Sequence, residues 1–355
     1  MDEIVIDGSH GEGGGAILRL SAAMGIIFNR NIRVVKIRAN RDTPGLREQH
    51  LMGLEALATL CGGNLTGGKV GSTEILFEPG DLRPCTVSVR IGTAGAIGLV
   101  YQILSIACAG FHGEQGDKIE IIVEGGATYG KWAPPVSYIK NILVPLLDRI
   151  GFSSDISVKR QGFYPKGGAA AKITFYPVNE LAGIDLSDRG TIVSIEGDSV
   201  ASANLRNTHV ADRQATSLVD AMKAKFPGVK SHVIANYVDA LNPGSGIVAW
   251  AKTSTGCVIG SDAIGEQRLP AEKVGRECAR GLIKVLSSPA TVDEYASDQL
   301  IPFLMLSKQH SRIIMPELTN HARTNIEIIK NYFFDRSVLI DEREDHVVVE
   351  FPAMD

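Results

Sequence analysis

One plan recurs along this chain, and it constrains the fold more than any other feature. It is a strand, a glycine-rich turn, a helix, a second strand, a second helix and a closing strand pair. The first copy reads as strand Glu3–Asp7, a helix from Gly15 to Ile26, strand Ile32–Arg38, a helix from Leu46 to Cys61, and strands Asn64–Thr66 and Glu74–Glu78. The second reads as strand Thr86–Ile91, the turn "GTAG", helix Ala94–Ala109, strand Lys118–Glu124, a helix after "APP" running to Ile150, and strands Asp155–Arg160 and Ala170–Tyr176. Short β-branched runs alternating with longer apolar-periodic segments are the α/β pattern. Proline suits the first turn of a helix, so "APP" marks a start.

A third copy opens at Thr191–Glu196 but lacks the turn and helix that should follow. Its remainder resumes with helix Val292–Leu306, strand Arg312–Met315, helix Ala322–Phe333 and strands Val338–Asp341 and His346–Phe351. The expectation is therefore an α/β protein of three repeated units, each two helices on a four-stranded sheet, with a smaller α/β domain inserted in the third. In residues, 1–197 and 289–355 form the large part and 198–288 the insertion. Repeats of this kind bury helical faces against their neighbours.

Composition narrows the function classes. The 355 residues are 44% apolar and carry a net charge of −4. A protein that coats long nucleic-acid duplexes gains affinity by neutralising many phosphates and is broadly basic. Any contact with nucleic acid has to be confined to a local basic pocket, as suits an enzyme working on a chain end. The five cysteines are widely spaced with no C-x-x-C pair, which argues for reduced thiols over a zinc knuckle or disulfide scaffold. The opening "MDEIVIDG" has neither the basic nor the apolar region of a signal peptide. The longest apolar run, Ala94 to Ala109, is interrupted by Gly, Tyr, Gln and Ser. A cytoplasmic protein without a membrane span is expected.

Four segments carry residues suited to chemistry, and each has a plainer reading. "HGEGGGAILR" stacks glycines before a helix, which exposes backbone N–H groups to an anion such as phosphate. It lacks the G-K-[ST] of a Walker loop. A carboxylate in such a nest, Glu12, has a reason to be there if a divalent cation binds; otherwise the run is a tight turn with Glu12 a solvated cap. "KIRANRDTPGLREQH" crowds Arg38, Arg41, Arg47 and His50 around a turn and a helix start, which forms either an anion site or a solvated loop. In "ELTNHARTNIEII", His321 meets a helix start with Asn320 and Thr324 as caps or orienting partners. It is a nucleophile candidate if a neighbour fixes its tautomer, or a structural histidine. In "EYASDQL", Asp298 and Gln299 point into a cleft or simply begin an amphipathic helix. Gln102, an amide inside an apolar helix, needs a partner or a ligand.

Taken in order, the segments "GEGGG-x-ILR", "IRA-x-R-x-x-PGL-x-x-QH", "G-x-AG…LV-x-Q", "APP", "GFYP-x-GG", "GE-x-R", "Y-x-x-DQL" and "H-x-x-TNI" resemble the RNA 3'-terminal phosphate cyclase family, in the class that carries a catalytic histidine. The resemblance spans nearly the whole chain and is thinnest in the insertion. It implies the three-repeat fold and a ligase-class, ATP-dependent reaction on RNA 3'-phosphate ends, with Mg2+ or Mn2+ neutralising the triphosphate. His321 would attack ATP to give histidine–AMP, AMP would pass to the RNA 3'-phosphate, and the 2'-OH would close a 2',3'-cyclic phosphate. By position, Gln102 and the run Tyr295, Ala296, Ser297, Asp298 and Gln299 would line the ATP pocket, and Glu12 would serve the metal. Arg19, Arg38, Arg41, Gln49 and His50 would hold the RNA terminal phosphate or the leaving pyrophosphate. Two relatives in architecture compete: a family member without catalysis, acting in ribosome biogenesis, and an enolpyruvyl transferase. Retention of His321, Arg38, Arg41 and Asp298 argues against the first. The second would use a Lys/Arg-rich cleft and no histidine–AMP. A plain RNA-binding module fits worst, since clustered aromatics are lacking.

Overall fold

In the structure, a computed structural model, residues 2–10, 14–131 and 133–354 are described. The first unit runs β1 (Glu3–Asp7), α1 (Gly15–Phe28), β2 (Asn31–Val35), α2 (Glu48–Cys61), β3 (Asn64–Thr66) and β4 (Ile75–Glu78). The second runs β5 (Cys85–Ala96), α3 (Ile97–Cys108), β6 (Ile119–Ala127), α4 (Val136–Tyr138), a π-turn (Ile139–Leu143), α5 (Val144–Asp148), β7 (Ser154–Arg160) and β8 (Ala170–Phe175). Their sheets have the same order, β1-β2-β4-β3 and β5-β6-β8-β7, with the first pair parallel and the rest antiparallel.

Then come β9 (Ile192–Ser202), a 3-10 turn (Ala203–Thr208), α6 (Val210–Lys225), β10 (Lys230–Val238), β11 (Ser245–Thr253), β12 (Val258–Ile264) and α7 (Ala271–Leu286). The chain closes with α8 (Glu294–Leu306), β13 (Ser311–Met315), α9 (Asn320–Tyr332), β14 (Leu339–Glu342) and β15 (Val347–Phe351).

The third unit departs from expectation at its first strand. Thr191–Glu196 does not open it: β9 pairs with β10 and β11 in the separate sheet β10-β9-β11-β12. The place beside β13 is taken by Asp185, bridged in parallel to Arg312, and the order continues β13-β15-β14. Both segments have strand-like patterning, and the sequence does not say which sheet edge each one meets.

Two smaller differences have local causes. The "GTAG" segment lies within β5, whose register with β6 shifts between Ile91 and Ala96. Gly92 and Gly95 let the strand bulge and carry on to α3. The helix after "APP" is broken by its π-turn just before Pro145, whose missing N–H removes one helical bond and lets the turn widen.

The helices meet at the centre: α1 packs on α2, α3 and α9, and α8 packs on α9 and α3. One apolar core joins these units, and a second lies between the β9–β12 sheet and helices α6 and α7. Among the described residues no helix is long and apolar enough to cross a membrane, and none of the five cysteines is paired.

Asp293 links the two cores. It is 2% exposed and caps α8, accepting from the N–H groups of Tyr295 at 3.1 Å and Ala296 at 3.0 Å. It also accepts from Gly260 N–H of β12 at 2.7 Å and from the Tyr138 hydroxyl. Burial pushes its carboxyl pKa up, against the pull of these hydrogen bonds. Removing one partner from such a cluster leaves the others buried and unmatched. Asp293→Ala is therefore expected to lower stability by about 3 kcal/mol in urea denaturation. A loss under about 0.5 kcal/mol would show that the cluster contributes little.

Candidate active site

A cavity of about 430 Å3 opens where α1, α3, α8 and α9 meet, with β12 closing one wall. It is lined by Arg19, Gln102, Tyr295, Asp298, Gln299 and His321, residues separated by hundreds of positions in the chain. Its volume lies in the range that encloses a nucleotide-sized ligand.

Each side chain has a local reason for its position. His321 stands in the first turn of α9, where unpaired backbone N–H groups favour an anion. The cap is Thr319, one residue before the expected Asn320: its Oγ1 accepts from Ala322 N–H at 2.9 Å. The same hydroxyl donates to Asp298 Oδ1, and Asn325 Nδ2 donates to the Asp298 carbonyl at 3.0 Å. Asp298 thus fixes α8 against the start of α9 beside His321. Of the expected run, Tyr295, Asp298 and Gln299 reach the cavity, whereas Ala296 and Ser297 are buried away from its lining. Helical geometry divides any five consecutive residues this way. Gln299 Nε2 donates to the Tyr295 carbonyl at 3.2 Å, which stiffens this first turn.

Gln102 lines the cavity, and among the described residues its amide makes no hydrogen bond. Arg19 is half-buried on α1, and burial lowers its pKa to about 10, which still leaves it charged at neutral pH.

Arg38, Arg41, Gln49 and His50 lie outside the cavity lining; Arg41 and His50 stand at the start of α1, and the charge of Arg38 is felt at His50. Arg38 donates to the carbonyls of Thr43 at 2.7 Å and Gly45 at 3.2 Å, bracing its own loop. Its pKa is lowered by burial and by Arg47 and Arg41 nearby. Arg41 reaches Gly14: a Cβ on that glycine would lie 3.6 Å from its guanidinium. Gln49 is half-buried in the first turn of α2.

His50 is 4% exposed and its Nδ1 accepts from Arg47 N–H at 3.3 Å, so Nε2 carries the proton. That nitrogen faces Gly15, where an added Cβ would come within 2.1 Å. Only glycine leaves the room. Burial, then the charges of Arg19, Arg38 and Arg47, lower the His50 pKa to about 3. The group near α1 therefore offers cationic forks, a neutral N–H donor and helix N–H groups together, which is chemistry for a phosphate.

Glu12 lies outside the described residues. The preceding turn is held to α9 by His10 Nε2 and Glu327 Oε2 at 2.8 Å. Sequence reading missed Asp262, which enters the cavity from β12 with Ile264. A polar residue inside an apolar strand was its only signal.

The family model described as RNA 3'-terminal phosphate cyclase matches residues 10–338. The chain belongs to that family. It is 40% identical to the RNA 3'-terminal phosphate cyclase of Hyperthermus butylicus over 333 residues, 92% of this chain and 90% of the relative. It is 40% identical to that of Pyrococcus furiosus over 331 residues, and 41% identical to that of Pyrococcus abyssi over 330, with 93% of both chains covered each time.

The His50 shift sets a pH dependence of stability. An unfolded histidine takes up a proton near pH 6.5, whereas folded His50 resists until about 3. Acidification through that window favours the unfolded chain. Between about pH 7 and about pH 5, wild type is expected to lose up to about 2 kcal/mol more than His50→Gln in urea melts. Parallel profiles would show that His50 titrates normally.

Proposed function

We propose that this chain uses ATP to convert an RNA 3'-terminal phosphate into a 2',3'-cyclic phosphodiester through a covalent adenylate on His321. The observation that carries this reading is the single cavity joining His321, Asp298, Gln102 and Arg19 from separate units. The family supplies the reaction class.

In the first step an imidazole nitrogen of His321 attacks the α-phosphorus; a P–N bond forms and pyrophosphate leaves. Asp298 and Thr319 hold the start of α9, so the nucleophile is presented from a fixed turn. Holding reactants in attack geometry is worth several orders of magnitude in rate. In the second step an oxygen of the RNA 3'-phosphate attacks that phosphorus, the P–N bond breaks and His321 is regenerated. In the third, the vicinal 2'-OH loses its proton and attacks the RNA 3'-phosphorus, and AMP leaves. Arg19, Arg41, Gln49 and His50 hold pyrophosphate in the first step and the RNA phosphate in the second. Arg38 supports them by bracing its loop. Gln102, Tyr295 and Gln299 hold the nucleoside. The unit of β9–β12, α6 and α7 is the inserted domain and closes the cavity through β12.

A divalent cation bound with the triphosphate would neutralise charge on the leaving group. Among the described residues no three His, Cys, Asp or Glu side chains cluster to cage a metal. Mg2+ is commonly held by one or two carboxylates plus substrate phosphates, and that pattern fits Glu12 as the protein's ligand.

His321→Ala is expected to retain a wild-type melting temperature and lose RNA cyclisation by at least about 10^3-fold. Cyclisation at the wild-type rate would rule out the covalent route. Glu12→Ala is expected to slow adenylylation in a way that millimolar metal partly restores. No change at limiting metal would remove Glu12 from the site.

A further inference from the structure

The cavity contains one acid that the scheme above leaves unused. Asp262 sits on β12, an element of the unit built on β9–β12, and lines the cavity with Ile264 two residues along the same strand face. Gly260, two residues before it, is anchored to Asp293 at 2.7 Å, so the strand is fixed against α8. Among the described residues the Asp262 carboxyl makes no hydrogen bond and no ion pair. A carboxyl aimed into a ligand cavity without a protein partner is placed for a ligand donor.

We propose that Asp262 is a specificity residue that reads the Watson–Crick edge of the adenine, accepting from its 6-amino group. The proposal rests on the nucleotide reading of the cavity. The lining itself has two characters. From α1 come Arg19 and the first helical turn, suited to phosphates; Ile264 of β12, Tyr295 of α8, and Ala133 and Pro134 beside the start of α3 add an aromatic and apolar surface suited to a flat base. A carboxyl turned towards a triphosphate would be repelled, whereas one turned to the base edge meets an N–H donor.

The state of the carboxyl agrees. Asp262 is half-buried as a residue, yet desolvation, then the nearby Asp293 charge, raises its pKa to about 7. The other titratable groups that feel it are Tyr129, Tyr138, Tyr295 and Cys278, all neutral at that pH. No cation offsets them among the described residues. A carboxyl that is partly protonated near neutrality both accepts and donates. Adenine offers the complement, an amino donor beside the N1 acceptor. Guanine reverses that order and is disfavoured. An asparagine amide at this position has the same donor–acceptor pair, so Asp262→Asn is the conservative variant.

The test is binding of ATP and of purine riboside 5'-triphosphate, which lacks the 6-amino group, by isothermal titration. The folded wild type is expected to prefer ATP by about tenfold, the worth of one well-placed hydrogen bond. Asp262→Ala should bind the two within about twofold of each other by losing affinity for ATP alone, and Asp262→Asn should keep the preference. A full preference retained in Asp262→Ala, or none in wild type, overturns the assignment. Label transfer from α-labelled ATP in the same samples keeps the two readings apart. Selective binding without label supports Asp262 and removes the covalent step. Label with equal use of both nucleotides does the reverse.

Discussion

The structure depends on a buried carboxylate that joins three parts of the chain. Asp293 closes the N-terminus of α8, takes the Tyr138 hydroxyl from the second unit and holds Gly260 of β12. Any one of these bonds is worth about 1 kcal/mol net, but each buried donor would be costly if left alone. Their common acceptor sets the distance between α8 and β12, and the cavity lies between them. Tyr295, Asp298 and Gln299 follow on α8, and Asp262 follows on β12. The geometry of the cavity is inherited from this anchor.

A second carboxylate continues the chain of constraint. Asp298 takes the hydroxyl of Thr319, which caps α9, and the Asn325 amide binds the Asp298 carbonyl. His321 is therefore presented by a helix start whose register against α8 is fixed. Across the cavity, α1 begins against Gly15, His50 and the arginine loop. Desolvation and three neighbouring arginines keep His50 neutral. Its proton is then available to donate without adding charge to an already cationic group. One helix start presents His321 and the other stands against His50 and Arg41.

Much of this was legible in the sequence because repeats and glycine-to-helix transitions are local signals. The shared order of the first two sheets follows from their matched strand and helix spacing. Where the pattern failed, long-range pairing decided. Thr191–Glu196 and the Asp185 segment are both extended, and which one lies beside β13 is set by tertiary contacts. At the site, the residues alone left His321 and Asp298 with plainer readings, and the family resemblance singled them out; Gln102 stood out as an amide in an apolar run. Ala296 and Ser297 fell away because a helix turns them inward. Asp262 went unnoticed since a lone acid in a strand has no periodic signature; only the meeting of β12 with α8 gives it a place.

The proposed reaction turns on one covalent bond, between His321 and AMP. Incubating the folded protein with ATP and a divalent cation, then mapping peptides by mass spectrometry under alkaline conditions, tests it most directly. A single AMP on the peptide that contains His321, stable to base and lost in acid, is the expected result. An AMP on another residue, or none on protein that nevertheless cyclises RNA, would contradict the account.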